Sequence, residues 1–437
     1  MVGEADREGD LTHRRAILVA CHVPRRFLLG CVGVACVVLL LATPALAATP
    51  GQLLWVRTYR PASGGASFWD VAAGPHGAAY AVGYKRGDQT TTLVLIKYDR
   101  EGDRRWVRAF RADYQATDGR CVGLDARGNV YVGGHARRRS GEYGILLMKY
   151  APDGTLRWSR TLNPIHGSAY LGSMVVDRAG KVYLVGSWGQ ADVVAKYDPS
   201  GRRLWAVPYR DPSDPTAHIG KDLALDGEGD VYVVGAASGS RADDTSNPLT
   251  VKFSGADGSL LASAVYHAPS AIYEEAIDVL GSTVAVCGSS SGYDKAPVIN
   301  YDLSLNQRYA VEYQPPEPVF IRALDVALDP AGHALVTGYG RTLKFGADGT
   351  LQWQQPAEDR FIRVDDSGNS YVGGYVGGLH VTNYDASGDP VWTQTVAEPG
   401  WGRLSAYSDC YTLGADGVYI GGQILAHSRA VLAKLAR

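Results

Sequence analysis

The chain has 437 residues, with 43 Lys/Arg against 45 Asp/Glu, and includes 53 Gly, 26 Tyr and only 3 Met. So even a charge balance gives no basic footprint for nucleic acid. Abundant Gly, Tyr and Val with little Met describes short strands joined by tight turns and argues against a helical protein.

The N-terminus reads as a separate unit. Arg25-Arg26 precede an uncharged apolar run, Phe27 to Leu41, which ends near the small-residue sequence Ala45-Leu46-Ala47. This is the pattern of a secretory signal cleaved after Ala47. The leader ahead of it is long and polar, and Val23 could be an alternative translation start. Extended through Ala48, the same run could instead stay as an anchor of membrane-spanning length. Pro44 and Ala-Leu-Ala favour cleavage. Cys31 follows Leu28-Leu29-Gly30 as a lipoprotein cysteine would, but at the wrong end of the run. Residues 48–437 then carry 38 Lys/Arg and 41 Asp/Glu, a net charge of −3, and three cysteines, Cys121, Cys287 and Cys410. Three thiols make no disulfide framework, so stability has to come from packing. The expected location is extracellular or in the cell envelope.

From Ala48 onward the sequence repeats. GNVYVGG at 128–134 returns as GKVYLVG at 180–186, GDVYVVG at 229–235, GHALVTG at 332–338, GNSYVGG at 368–374 and GVYIGG at 417–422. GAAYAVG at 77–83 and STVAVCG at 282–288 are weaker copies. Spacings between Gly83, Gly133, Gly186, Gly235, Gly288, Gly338, Gly373 and Gly421 are 50, 53, 49, 53, 50, 35 and 48 residues. Units of roughly 40 to 50 residues suit four-stranded propeller blades. The expectation is an all-β propeller of eight four-stranded blades, with seven as the alternative, in a single domain over 48–437.

Each unit parses into an inner strand, a YVGG strand, a strand ending in Lys-Tyr-Asp, and an outer strand bearing Trp. The last turn reads KYDREGDRRW at 97–106, KYAPDGTLRW at 149–158, KYDPSGRRLW at 196–205, KFGADGTLQW at 344–353 and NYDASGDPVW at 383–392. Asp bonds its own backbone and Gly accepts positive φ, which is hairpin chemistry. Both short turns should share one face. Leu53 to Tyr59, with Trp55, is an outer strand without a unit of its own, while the last unit stops after its third strand. Pairing them would close the ring and remove sheet edges. Trp55, Trp106, Trp158, Trp205, Trp353 and Trp392 hold one repeat position, which favours packing between blades over a ligand platform.

The combination D-x-x-G-N-V-Y-V-G-G followed by K-Y-D-x-x-G-x-x-x-W resembles the bacterial SBBP β-propeller repeats over residues 53–437, and fades in unit 5. The resemblance implies an exported or surface propeller; it does not imply an enzyme. DGTLRW and DGTLQW are also similar to quinoprotein (PQQ-type) repeats. Catalytic members of that group carry adjacent cysteines beside the quinone, and no Cys-Cys occurs here, so a quinone cofactor is not expected.

Function should sit on the longer connections at the face opposite the turns. Tyr170, Tyr273 and Trp401 are the aromatic candidates there. One inner-strand position reads Asp70, Cys121, Ser173, Asp222, Asp278, Asp325, Phe361 and Cys410 around the units. Four carboxylates at a channel mouth could hold Ca²⁺ or orient a cationic or sugar ligand; the simpler expectation is that each accepts backbone N–H bonds. Cys121 and Cys410 sit too far apart on this ring for a disulfide. The histidines show no metal-binding spacing, and Asp226, Glu228 and Asp230 fall on an ordinary turn. No cofactor is predicted. The sequence favours a secreted, non-catalytic module binding a glycan, protein or cell-surface polymer. A quinone-dependent dehydrogenase or a polysaccharide lyase with a site at the channel mouth is the alternative.

Overall fold

The computed structural model describes residues 48–437 except 88–89, 164–166, 189–190, 210–217, 239–245, 269–270, 376, 398–403, 406–409 and 426–427. The signal segment expected at 1–47 lies outside the described residues. Everything regular in the remainder is β-strand apart from 3₁₀ turns at Pro75–Gly77 and at Leu425.

The strands form antiparallel meanders that place consecutive strands side by side, as short hairpin turns dictate. Four-stranded sheets are built from Ala66–Phe110, Ala116–Leu162, Ala169–Tyr209, His218–Val265 and Ile272–Tyr313. A closing sheet joins Leu404–Ser405, Tyr411–Gly414, Gly417–Ile424 and Arg429–Leu435 to the N-terminal strand Leu53–Tyr59. Each sheet's first strand packs against the first strand of the next, through Leu351–Val364 and Tyr411–Gly414 and back to Ala66–Ala73. The chain is a β-propeller.

The hydrogen bonding corrects one expectation. Among the described residues there are seven sheets, not eight separate ones, because the units around 332–338 and 368–374 share a composite sheet of six elements. The 35-residue spacing explains this, since it leaves no room for loops. Strand Ala334–Phe345 doubles back on itself near Gly340, where the Thr337 and Thr342 hydroxyls bond at 2.6 Å. Strand Leu351–Val364 pairs through Glu358 with Ala334–Phe345, then from Asp359 onward with Ser370–Gly374.

Successive units are fastened by the outer-strand aromatics. The indole Nε1 groups of Trp55, Trp106, Trp158 and Trp353 donate to the carbonyls of Arg100, Pro152, Pro199 and Ala386 in the next unit's last turn. That turn's glycine lies flat on the ring. A Cβ on Gly102, Gly201, Gly258 or Gly388 would come within 2.5 to 2.8 Å of an indole carbon, and positive φ independently demands glycine there. Arg57, Arg108 and Arg160, two residues past each Trp, donate to the carbonyls of Gly102, Gly154 and Gly201.

Beneath the turns, Lys97, Lys149, Lys196, Lys252 and Lys434 lie 4.7 to 5.2 Å over the rings of Tyr80, Tyr131, Tyr183, Tyr232 and Tyr419. Turn carboxylates complete the layer: Lys344 reaches Asp329 at 3.0 Å and Lys434 reaches Asp416 at 2.8 Å. Where the repeat offers Asn383 in place of lysine, Arg437 supplies the cation, 3.1 Å from Asp365.

Closure rebuilds the same turn from both ends of the propeller. Leu53–Tyr59 pairs in register with Arg429–Leu435. Gly51 donates to the Ala436 carbonyl at 2.9 Å and Ala436 to Gln52 at 2.8 Å, as Gly102 and Asp99 do within one turn. Gly51 then sits against Trp392 as other turn glycines sit against theirs.

Two predictions follow from this packing. Trp158→Ala should cost about 3–5 kcal/mol in urea unfolding, and deleting residues 48–60 should abolish cooperative melting; unchanged melting of the deletion would refute the closure. Burial alone would push the Asp329 and Asp416 carboxyls up, but hydrogen bonds and the lysine ammoniums hold both below the usual carboxylate range. Their stabilisation is therefore fully present above about pH 4 and lost as pH falls through the lowered folded-state values. Lys344→Met should flatten that acid limb in unfolding measured from about pH 6 to pH 2.

Candidate functional site

The four inner-strand aspartates are structural ties. Asp70 accepts the N–H of Val71 and, from the next inner strand, that of Val122, both at 2.7 Å. Asp222 accepts from Leu223 at 2.8 Å and Ile277 at 3.2 Å. Asp325 accepts from Val326 at 3.0 Å and Ile362 at 2.9 Å, and pairs with Arg363 at 2.8 Å. A bulge just before each of these residues turns the carboxylate sideways toward its neighbour.

Asp278 departs from the expected register. The residue level with Asp70, Asp222 and Asp325 in its unit is Ala276, opposite Cys287. Asp278 lies two residues further along, opposite Ala285, and ties to Val279 at 2.9 Å and Leu328 at 2.8 Å. Burial raises its carboxyl pKa despite those bonds. The four acids thus occupy two levels, and each accepts backbone N–H bonds. No group of three or more His, Cys, Asp or Glu among the described residues could hold a metal ion. Cys121 is half-buried, Cys287 and Cys410 are buried, and none of the three is in a disulfide. Asp226 caps its own turn through Glu228 and Asp230.

The loop side is different in kind. Its connections are bonded to each other, with Ile321 donating to Tyr293, Gln115 to Arg137 and Ala66 to Ser428. Tyr170, 44% exposed, lies tilted against Tyr143 with ring centroids 5.3 Å apart, and Arg137 lies over the Tyr143 ring at 5.8 Å. Behind them the His135 Nδ1 faces Asp118 at 3.1 Å while its Nε2 accepts the Leu171 N–H at 3.0 Å. Arg120 also pairs with Asp118 and lies over the Trp69 ring. Burial would raise the Asp118 carboxyl, but its His135 and Arg120 partners bring it below the usual range. Tyr273 is 47% exposed on its strand. Trp401 lies outside the described residues.

A second group escaped the sequence reading. The Tyr293 and Phe320 rings are tilted against each other at 5.0 Å, Phe320 lies 6.4 Å from Tyr339, and Arg360 lies over both Tyr339 at 5.4 Å and Tyr375 at 6.0 Å. Arg322 lies 5.8 Å over Tyr293 and pairs with Glu275 at 2.8 Å; Lys221 takes the other Glu275 oxygen at 3.0 Å. Tyr293 holds a left-handed φ of 53°, uncommon for an aromatic residue. Tyr339 and Tyr375 follow GHALVTG and GNSYVGG as Tyr84 follows GAAYAVG, but that repeat does not set them apart, and the remaining sequence signal for Tyr293, Phe320 and Arg322 was their place at loop ends.

The surface follows one logic. Turn-side lysines lie buried or half-buried over tyrosines, and the turn-side Arg57, Arg108 and Arg160 lie over Trp55, Trp106 and Trp158 while donating to turn carbonyls; on the loop side Arg120 and Arg322 lie over aromatic rings and pair with Asp118 and Glu275.

No family model matches the chain, and no curated protein matches it. Among solved structures, it is similar to a protein of unknown function from Bacteroides caccae, at 12% identity and TM-score 0.38 over 57% of this chain and 90% of that one. It is also similar to the Pan2 WD40 domain of Neurospora crassa, at 10% identity and TM-score 0.49 over 75% and 91%.

Asp222→Asn leaves one acceptor oxygen for two backbone donors, so it should cost about 1–3 kcal/mol. Thermal unfolding with and without Ca²⁺ checks this. A shift in melting on adding Ca²⁺ to the wild type that is absent in the variant would contradict the structural role.

Proposed function

We propose that the chain is an exported, non-catalytic propeller of the SBBP-like kind that binds a glycan, a protein or a cell-surface polymer through its loop side. The observation that carries this reading is the division of charged groups between the two ends of the sheets. Inner-strand acids are committed to backbone N–H groups, and turn-side lysines to carbonyls and carboxylates. Arginine–aromatic pairs occur on both sides among the described residues, but the turn-side Arg57, Arg108 and Arg160 donate to turn carbonyls, whereas the loop-side Arg360 lies between Tyr339 and Tyr375, on a side whose connections are held in place by their own backbone bonds.

The composite sheet is, on this reading, two blades run together. Eight inner-strand segments succeed one another around the ring, and strand Leu351–Val364 serves as outer strand of one unit and inner strand of the next.

The binding role is tested with residues 48–437 on an array of glycans and cell-envelope polymers. The double variant Tyr170→Ala/Tyr273→Ala should lose about tenfold or more in affinity for whatever the wild type retains. Asp222→Asn, assayed where it is folded, should keep it. The opposite pattern would overturn the reading in favour of chemistry at the inner ring.

A further inference from the structure

The arginine–aromatic row on the loop side has a definable ligand chemistry. Its members come from adjacent inner strands and the loops beside them: Lys221, Arg322 and Arg360 as cations, Tyr293, Phe320 and Tyr339 as rings. Phe320 is 55% exposed, more than most large apolar side chains of the chain. Its neighbour Ile321 is buried and tied by its N–H to the Tyr293 carbonyl at 2.8 Å, so the exposed ring is held on a fixed backbone. An apolar ring pinned in water beside two guanidinium groups is a platform.

The row also shows what the cations accept. Glu275 is only 8% exposed, while Lys221 and Arg322, which grip its two oxygens, are 46% and 36% exposed. One buried carboxylate is shared by two cations, leaving an excess positive charge toward solvent. Arg322 donates to Glu275 through one terminal nitrogen, and its Nε is buried with no hydrogen-bond partner among the described residues. Arg360, one inner strand further, donates to the Tyr339 hydroxyl and lies between two tyrosine rings, with no carboxylate paired to it among the described residues. A guanidinium has five donors in a planar fork that matches a carboxylate. Arg360 has the surroundings of Arg322 without the protein's own acid.

We infer that this row binds a carboxylated sugar chain, with a ring stacked on Phe320 and Tyr293 and a uronate carboxylate on Arg360, in the place Glu275 takes on Arg322. This rests on the loop-side binding reading above and gives it a ligand class. A nucleic acid fits less well, because the net charge of −3 over residues 48–437 provides no extended attraction for a polyphosphate.

The test is calorimetric titration of residues 48–437 with galacturonate and mannuronate tetramers and a hyaluronan tetrasaccharide, and with the fully methyl-esterified galacturonate tetramer, which keeps the rings and removes the charge. At least one acidic tetramer should bind, and the ester should not. Arg360→Gln should weaken binding about tenfold or more, with Arg360→Lys falling between. Phe320→Ala, at a position too exposed to matter for folding, should weaken it similarly at unchanged melting temperature. Failure of all three acidic tetramers to bind overturns the inference. Equal binding of acid and ester overturns the charge recognition, and equal binding by the variants overturns the site. Any of these leaves the broader loop-side reading to the Tyr170 and Tyr273 variants, so the two fail separately.

Discussion

Everything else in the molecule depends on the contact between an outer-strand tryptophan and the turn glycine of the following unit. A flat ring needs a flat partner, and only a residue without Cβ, in a positive-φ conformation, lets the backbone come this close. Gly201 over Trp158 shows both requirements in one residue. The indole N–H, the arginine two residues on and the strand-three lysine then donate to carbonyls of the same turn. One hairpin thereby becomes the socket for its neighbour, and the contact repeats around the ring. The chain ends obey it too, since Gly51 and Ala436 rebuild a turn that no single stretch of sequence contains.

This fastening frees the opposite end of the sheets. With the turn side fixing blade to blade and the inner aspartates tying strand to strand, the loop-side connections contribute less to closure. Cations on the two sides illustrate the division. Lys434 is buried between Tyr419 and Asp416, where removing either partner would strand a charge. Arg360 is half-buried between Tyr339 and Tyr375, with no carboxylate paired to it among the described residues.

Much of the fold was legible in the sequence because its determinants repeat. The DxxG turns, the YVGG strands and the tryptophans recur at fixed offsets, and the orphan strand at Leu53 to Tyr59 had one sensible partner. The number of separate sheets was not legible, since shortening one unit to 35 residues fused two meanders through a continuous strand. Nor was the register of Asp278: the shorter turn in its unit moved it two residues past the level of Asp70, and a carboxylate there looks the same in sequence at either level. The loop side resisted for the converse reason. Tyr170 and Tyr273 were found as exposed aromatics, but Tyr293, Phe320, Arg322, Tyr339 and Arg360 come together only because the Ile321–Tyr293 backbone bond joins two connections from different units.

The most direct measurement is hydrogen–deuterium exchange of residues 48–437 with and without a soluble acidic polysaccharide such as polygalacturonate. The account predicts added protection at residues 290–295, 318–323 and 339–341 and around Arg360, with exchange at the Asp-Gly turns unchanged. Protection concentrated at those turns, or spread along the inner strands around Asp70, Asp222 and Asp325, would contradict it.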